Sequence, residues 1–212
     1  MELLLAVLAG LPLTLLVTAA AFLIGLVLGV PIMLGLRSRL IPVRLAARLL
    51  VDLIRGVPTI VWLFLLYFGV SIGAFRFDSL TAAIVGLGII SAAYLAEIYR
   101  GAFQTVSTGQ NEAAQALGFG RSTTFVRILT PQAIRTALPS LTSYLLALVK
   151  DSSIASTIGV AEIVFTSTTF ARQNPDSAGL TPFFLAAAVY LVVSIPLAVV
   201  ARRLDTRLRR SF

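Results

Sequence analysis

The chain has 212 residues, of which 58% are hydrophobic and only 12% are charged. Soluble domains carry about 25% charged residues, so the bilayer must act as solvent for much of this chain. The absence of Cys and His excludes disulfides, thiol nucleophiles, histidine bases and the usual zinc ligands. The net charge of +8 does not indicate a nucleic-acid partner, because the arginines form short clusters beside apolar runs, an arrangement that sets membrane orientation.

Five apolar segments are long enough to cross a bilayer, which takes about 20 residues of helix. The first contains Gly25 and Gly29, a small-residue spacing that allows ordinary close packing between helices. The fourth is interrupted by a polar stretch at residues 150–153. In chain order, the predicted spans are residues 14–36, 57–75, 80–103, 137–160 and 182–200.

Basic residues lie almost entirely on one side of these spans. Five arginines fall between the first and second spans, four between the third and fourth if Arg100 at the inner end of the third span is included, and five after the fifth. The other side holds only Arg76 and Arg172, and Lys150 lies within the fourth span. Because basic residues are retained in the cytoplasm, the pattern predicts an outside N-terminus and a cytoplasmic C-terminus. On the outer side, residues 162–181 would form a connecting loop or a contact for an outside partner.

The cytoplasmic stretch of residues 109–135 has features of helical structure. A cap-like Asn111, an alanine-rich core and Gly118 predict one short helix. A second short helix is predicted from Ser122 to about Arg135, kinked by Pro131. Two such helices at the membrane surface suit insertion into a groove on another protein.

The spacing of this stretch resembles the EAA motif of the membrane subunits of ABC importers. The motif residues are Glu112, Ala113, Ala114, Gly118, Ile128 and Pro131. Other segments resemble the polar amino-acid permeases of the histidine, glutamine, arginine and glutamate type, namely residues 55–58, 63–69, 92–101, 131–135 and 148–153. These segments occur at family spacing and in family order, and the resemblance covers about residues 10 to 205, nearly the whole chain.

The resemblance implies an all-α polytopic membrane protein with the type I ABC importer permease fold, in which residues 1–212 form one transmembrane domain. It implies two permease subunits, as a homodimer or with a paralogue, an extracytoplasmic solute-binding protein, and the bacterial cytoplasmic (inner) membrane. It also implies that the loop of residues 109–135 docks on a pair of ATP-binding subunits. The docking residues would be Glu112, Ala113, Ala114 and Gly118.

The chain itself is not expected to be an enzyme or to hold a cofactor. Its single lysine, Lys150, follows Val149, whereas a P-loop needs lysine between glycine and serine or threonine. ATP and Mg would therefore be held by the partner subunits. A secondary transporter or a permease for another small solute, such as an osmolyte, is the alternative, while the scarcity of suitable side chains disfavours a membrane enzyme.

Charged residues within the predicted spans are candidates for the solute path, because each costs roughly 2.5–3.5 kcal/mol to insert. Glu97 precedes Arg100 by one helical turn, which favours either a local ion pair or a cavity-lining acid. Lys150 and Asp151 are adjacent and would point in different directions on a helix.

The polar patch continues beyond these two residues into Ser152 and Ser153. An unwound turn there would expose backbone groups to a solute, as in other transporters. The alternative is a structural network between subunits. The candidate residues of the solute path are therefore Glu97, Lys150, Asp151, Ser152 and Ser153.

Overall fold

The computed structural model describes residues 1–72 and 75–209; Gly73 and Ala74 of the predicted second span and residues 210–212 of the tail lie outside these ranges. The described helices are α1 (Glu2–Ala9), α2 (Leu11–Leu36), α3 (Ile41–Gly56), α4 (Thr59–Phe64), α5 (Ser79–Thr105), α6 (Thr108–Ala116), α7 (Arg121–Thr123), α8 (Thr130–Asp151), α9 (Ile163–Gln173), α10 (Pro175–Ala178) and α11 (Thr181–Arg209). π-Helical segments follow α4 and α7, at Leu65–Gly69 and Thr124–Leu129, and a 3₁₀ helix follows α8, at Ser152–Ile158. Two short strands, β1 (Ser71–Ile72) and β2 (Phe75–Arg76), pair antiparallel.

The helices confirm the predicted all-α membrane architecture. Within the described residues, three helices are long and apolar enough to cross a membrane, namely Glu2–Leu36, Ser79–Thr105 and Thr181–Thr206. Two bent pairs bring the number to five if each pair is one span. They are Ile41–Gly56 with Thr59–Gly69, bent by 99°, and Arg121–Ile158 with Ile163–Gln173, bent by 47°.

The predicted second span, residues 57–75, is wrong at its end, and most of the arginine-rich stretch before it is helical. Within the predicted span, the helical part runs only from Thr59 to Gly69. The arginine-rich stretch before it forms α3, Ile41–Gly56. Val57, before Pro58, is extended, with φ −99° and ψ 134°, because a residue preceding proline is disfavoured in the helical region. The chain therefore turns sharply between α3 and α4.

The predicted outer loop, residues 162–181, is also mostly helical. Glu162 caps α9 by accepting a hydrogen bond from the backbone N–H of Phe165 at 2.8 Å. The helix is rich in Ser and Thr, so its sequence lacks the apolar length by which a span is recognised. The turn character expected near its end is present, since Gly179 adopts a positive φ of 51°.

The second short helix predicted in the 109–135 stretch, at 122–135, does not exist as a separate kinked unit. The helix instead runs on from Arg121 to Ile158. Pro131 cannot donate a backbone hydrogen bond, and the turns before it widen into the π-helical segment. The hydroxyl of Thr130 donates to the carbonyl of Phe125 at 2.7 Å and so gives a carbonyl of the π-helical segment a hydrogen-bond donor.

The core is centred on α2 and α5, which pack along much of their length. A Cβ added at Gly25 would lie 2.5 Å from the Cβ of Ser91, and one at Gly29 would lie 3.2 Å from the carbonyl oxygen of Ala92. Both glycines are buried in the helix interface. The prediction that this pair serves helix packing is therefore confirmed.

Candidate coupling loop and solute path

The loop after α5 begins with a defined cap and ends with a glycine turn. Ser107, rather than the expected Asn111, caps α6, because its hydroxyl accepts a hydrogen bond from the backbone N–H two residues later. Gly118 adopts a φ of +76°, and the N–H of Phe119 then donates to the carbonyl of Ala114 at 3.0 Å. This left-handed closure is the usual way a helix ends at glycine.

Three of the four predicted docking residues are exposed. Glu112, Ala113 and Gly118 face outward, whereas the side chain of Ala114 is only 2% exposed and packs inside the chain. Two exposed apolar residues that the sequence analysis did not single out lie beside them, Leu117 at 75% and Phe119 at 45% exposure. We call Glu112, Ala113, Leu117, Gly118 and Phe119 the coupling surface.

Aromatic stacking fixes the loop to the spans. The ring of Phe125 stacks on that of Phe103 in α5, with centroids 5.1 Å apart and planes 5° apart. The guanidinium of Arg37, at the end of α2, lies 4.7 Å from the centroid of Phe103 on that ring. Partial burial there lowers the pKa of Arg37 from its ordinary value. The stack thus joins the loop to the ends of both central helices.

Glu97 lies in a network of two ion pairs. Its carboxylate is 2.6 Å from Nη2 of Arg100 and 3.2 Å from Nη1 of Arg48 in α3. The Glu97 side chain is 14% exposed. The local ion pair considered from the sequence is therefore confirmed, and a second arginine, from α3, extends it.

The polar patch at the end of α8 divides between two surroundings. Lys150 and Ser153 line a groove of about 300 Å³ formed with α9 and α11. Asp151 is exposed and lies within electrostatic range of Tyr144 on its own helix. The two charged residues therefore point in different directions, as expected of neighbours on a helix.

The backbone at this patch tightens into a 3₁₀ helix rather than unwinding. Ser152 is completely buried, and its hydroxyl donates to the carbonyl of Val149 at 2.7 Å. The hydroxyl of Ser153 donates to the carbonyl of Lys150 at 2.6 Å. In this conformation Ser152 supports the patch from inside and has no surface to offer a solute.

A buried acid that the sequence analysis treated only as a loop residue joins four helices. Glu162 is 0% exposed, and its second carboxylate oxygen accepts from the hydroxyl of Tyr190 in α11 at 2.8 Å. The next backbone N–H donates to the hydroxyl of Thr14 in α2, while Gly10 approaches so closely that a Cβ there would lie 2.5 Å from backbone atoms of the junction. Its sequence signal was a lone acid between two apolar runs.

A second cluster missed from the sequence lies between α3, α5 and α8. Arg55 sits over the ring of Tyr94, 4.8 Å from its centroid. The ring of Tyr94 stacks on Tyr144, with centroids 5.4 Å apart. The hydroxyl of Tyr144 donates to that of Ser91 at 3.0 Å. No local spacing in the sequence brings these three helices together.

Comparisons with known proteins agree on the class of protein. The family described as "binding-protein-dependent transport system inner membrane component" matches residues 21–210. The probable amino-acid ABC transporter permease protein YckA of Bacillus subtilis (strain 168) is 39% identical over 187 residues, covering 88% of this chain and 82% of the relative. The octopine transport system permease protein OccM of Rhizobium radiobacter is 35% identical over 202 residues, covering 91% and 82%.

The solved structures support the same fold. The crystal structure of an amino acid ABC transporter with histidines matches at a TM-score of 0.87 and 32% identity, covering 95% of this chain and 94% of that one. These matches confirm the fold and the resemblance predicted from the motifs.

Proposed function

Because this chain belongs to the family of binding-protein-dependent transport system inner membrane components, we propose that it is the pore subunit of an ATP-driven importer of a polar amino acid. Transport would proceed by alternating access, with an external binding protein delivering the solute. The observation that carries this proposal is the coupling surface, a capped helix end that exposes an acid, small residues and large apolar side chains together. An ATP-driven importer whose pore chain has no P-loop needs such a contact with its ATP-binding subunit.

The composition of the coupling surface suits a groove on an ATP-binding subunit. Ala113 and Gly118 allow close approach, while Glu112 offers an anion to a basic or donor group. Leu117 and Phe119 supply apolar area, and burying a side chain of that size stabilises a contact by about 1.5–3 kcal/mol. Ala114, buried beneath them, holds the helix in place. ATP and Mg would lie on the partner pair.

The loop is well placed to transmit motion. The stacking of Phe125 on Phe103 connects the loop to α5. The helical part of the loop that begins at Arg121 continues without a break into α8. Displacing the coupling surface would therefore move the two helices that carry the candidate path residues. Differential contacts in the inward- and outward-open states would then shift the population between them.

The exposed polar patch supports a water-filled path closed by a second permease subunit. Asp151 is exposed on a spanning helix, and a charge in that position needs a partner or water. A second copy or a paralogue would cover that face and enclose the water. Asp151 is the first candidate for contact with the solute, with Lys150 and Ser153 beside it, whereas Glu97 already holds two arginines.

The arginine distribution supports a location in the bacterial cytoplasmic membrane with the coupling surface inside the cell. The binding protein would then approach from the opposite side. Relatives with amino-acid transport in their names favour a polar amino acid over an osmolyte as solute.

Co-purification tests this function at the coupling surface. The chain is co-expressed with its ATP-binding subunit and purified in detergent as the wild type, Glu112→Lys, or the matched charge reversal Asp176→Lys, an exposed acid on the predicted outer side. We expect Glu112→Lys to lose the ATP-binding subunit during purification, and the wild type and Asp176→Lys to retain it. Recovery of the subunit with Glu112→Lys at the wild-type level contradicts the docking role, and failure of the wild type to bind it favours a secondary transporter.

A further inference from the structure

Arg55, Tyr94 and Tyr144 form a layered cluster from three helices, which we call the inner aromatic cluster. The guanidinium of Arg55 lies 4.8 Å from the centroid of the Tyr94 ring. That ring stacks on Tyr144 at 5.4 Å with an angle of 22° between planes. A hydrogen bond of 3.0 Å to Ser91 holds the Tyr144 hydroxyl. The cluster is therefore a fixed aromatic platform with a cation on top.

The cation of this cluster has no carboxylate partner within the described residues. The ion pairs found among the described residues are Arg48 with Glu97 and Arg100 with Glu97. Arg55 is exposed, and stacking on a ring uses the face of the guanidinium while leaving its N–H edge free to donate. Such an edge matches a planar carboxylate with two parallel hydrogen bonds.

The backbone next to Arg55 is uncrowded. A Cβ added at the neighbouring Gly56 would meet no atom within 4 Å. Tyr94 is 36% exposed, although its neighbours Ala93 and Leu95 in α5 are completely buried. Arg55 and Tyr94 are therefore both exposed on this chain.

The cluster shares a helix face with the candidate acid of the solute path. Asp151 follows Tyr144 by seven residues, or two turns of α8, which places the two on one face about 10 Å apart. Asp151 therefore lies about two turns of α8 from the tyrosine stack that carries Arg55. An amino acid carries charges complementary to both Asp151 and Arg55.

We propose that the inner aromatic cluster is a second binding station on the solute path, where Arg55 receives the α-carboxylate of an amino acid that has left Asp151. This rests on the proposed function. The stacked rings would hold Arg55 in place, and the solute would pass from a station that binds its amino group to one that binds its carboxylate. A lipid phosphate is the other oxyanion that Arg55 could hold, and the experiment separates the two.

The test measures binding to the permease with its ATP-binding subunits in phosphatidylcholine nanodiscs, without the binding protein. The probe is labelled glutamine, arginine or glutamate, whichever the complete wild-type transporter accumulates in vesicles. It is displaced by the unlabelled amino acid or by its α-amide, which lacks the carboxylate charge. The variants are Arg55→Gln, Arg55→Lys, Tyr94→Leu, and Arg44→Gln as the matched control, because Arg44 is exposed on the same helix and away from the cluster.

We expect the wild type and Arg44→Gln to prefer the acid over the amide by about tenfold or more, as for a lost charge-assisted hydrogen-bond pair. Arg55→Gln and Tyr94→Leu should lose that preference, and Arg55→Lys should keep part of it. A merely structural role would lower the affinity for acid and amide alike and leave their ratio unchanged.

The proposal is overturned if the wild type binds acid and amide equally or not at all, or if Arg55→Gln keeps the wild-type ratio. It is also overturned if the only effect of Arg55→Gln is loss of phosphatidylglycerol that co-purifies with the wild type, since the cluster then holds a lipid. A wild-type transporter that accumulates no polar amino acid contradicts the proposed function instead, so the two failures are distinct.

Discussion

Replacing Gly25 with alanine should loosen the central pair of helices. The new Cβ would lie 2.5 Å from the Cβ of Ser91 and 3.0 Å from its carbonyl carbon, whereas carbon atoms in contact prefer about 3.5–4.0 Å. The obstructing atoms belong to the backbone or lie next to it, so no side-chain rotation relieves the clash, and α2 must move away from α5 by about 1 Å. Overpacking of this kind costs about 1–3 kcal/mol.

That cost corresponds to a fall in melting temperature of about 2–12 °C for a chain of this size. The assay is intrinsic fluorescence during heating of the purified chain in one detergent. Gly101→Ala is the control, because Gly101 lies in α5, the helix that packs on α2, but a Cβ there meets nothing within 4 Å, so helix propensity should leave the stability equal or higher. An unchanged melting temperature for Gly25→Ala refutes the close packing of α2 on α5.

Three further predictions concern the loop, the path and the orientation. Gly118→Val forces a branched residue into a φ of +76°, at a cost of about 1–3 kcal/mol. Vesicle assays should show that uptake is lost while basal ATP hydrolysis remains. The control, Gly120→Val, should have a milder effect, because φ at Gly120 is −67°. Asp151→Asn should lower the uptake of labelled amino acid while the ATP-binding subunit still co-purifies, and Glu97→Gln should do the same by releasing two arginines; wild-type uptake in both variants removes these residues from the transport mechanism. Because the chain has no Cys, a cysteine placed at Ala113 should react with an impermeant maleimide only in inside-out vesicles and one at Arg172 only in intact cells lacking an outer barrier; the reverse pattern contradicts the assigned orientation.

Much of the architecture could be predicted because it follows from local composition. The third span, expected at residues 80–103, is α5 at Ser79–Thr105, since a long apolar run has one stable form in a bilayer. The fifth, expected at 182–200, lies within α11. The glycine turn at Gly118 was also visible, because a positive φ leaves few other residues suitable.

The errors arose where tertiary contacts decide the outcome. Helix α9 is too polar to read as a span, and it is stabilised by a cap on Glu162 and by contacts with α1 and α11. The burial of Ala114 depends on the fold of the loop, which its alanine-rich sequence does not orient. Arg55 and Tyr94 are 39 residues apart in the sequence, so only packing of α3 on α5 could bring them together.

The central claim is that this chain forms the pore of an importer driven by ATP on a partner subunit. The most direct measurement is accumulation of labelled amino acid by vesicles that contain the chain, its ATP-binding subunits and its binding protein, with ATP supplied on the side of the coupling surface. The account predicts uptake against a gradient that stops when ATP or the ATP-binding subunits are left out and persists when ion gradients are collapsed. Uptake that needs an ion gradient and proceeds without ATP would contradict it.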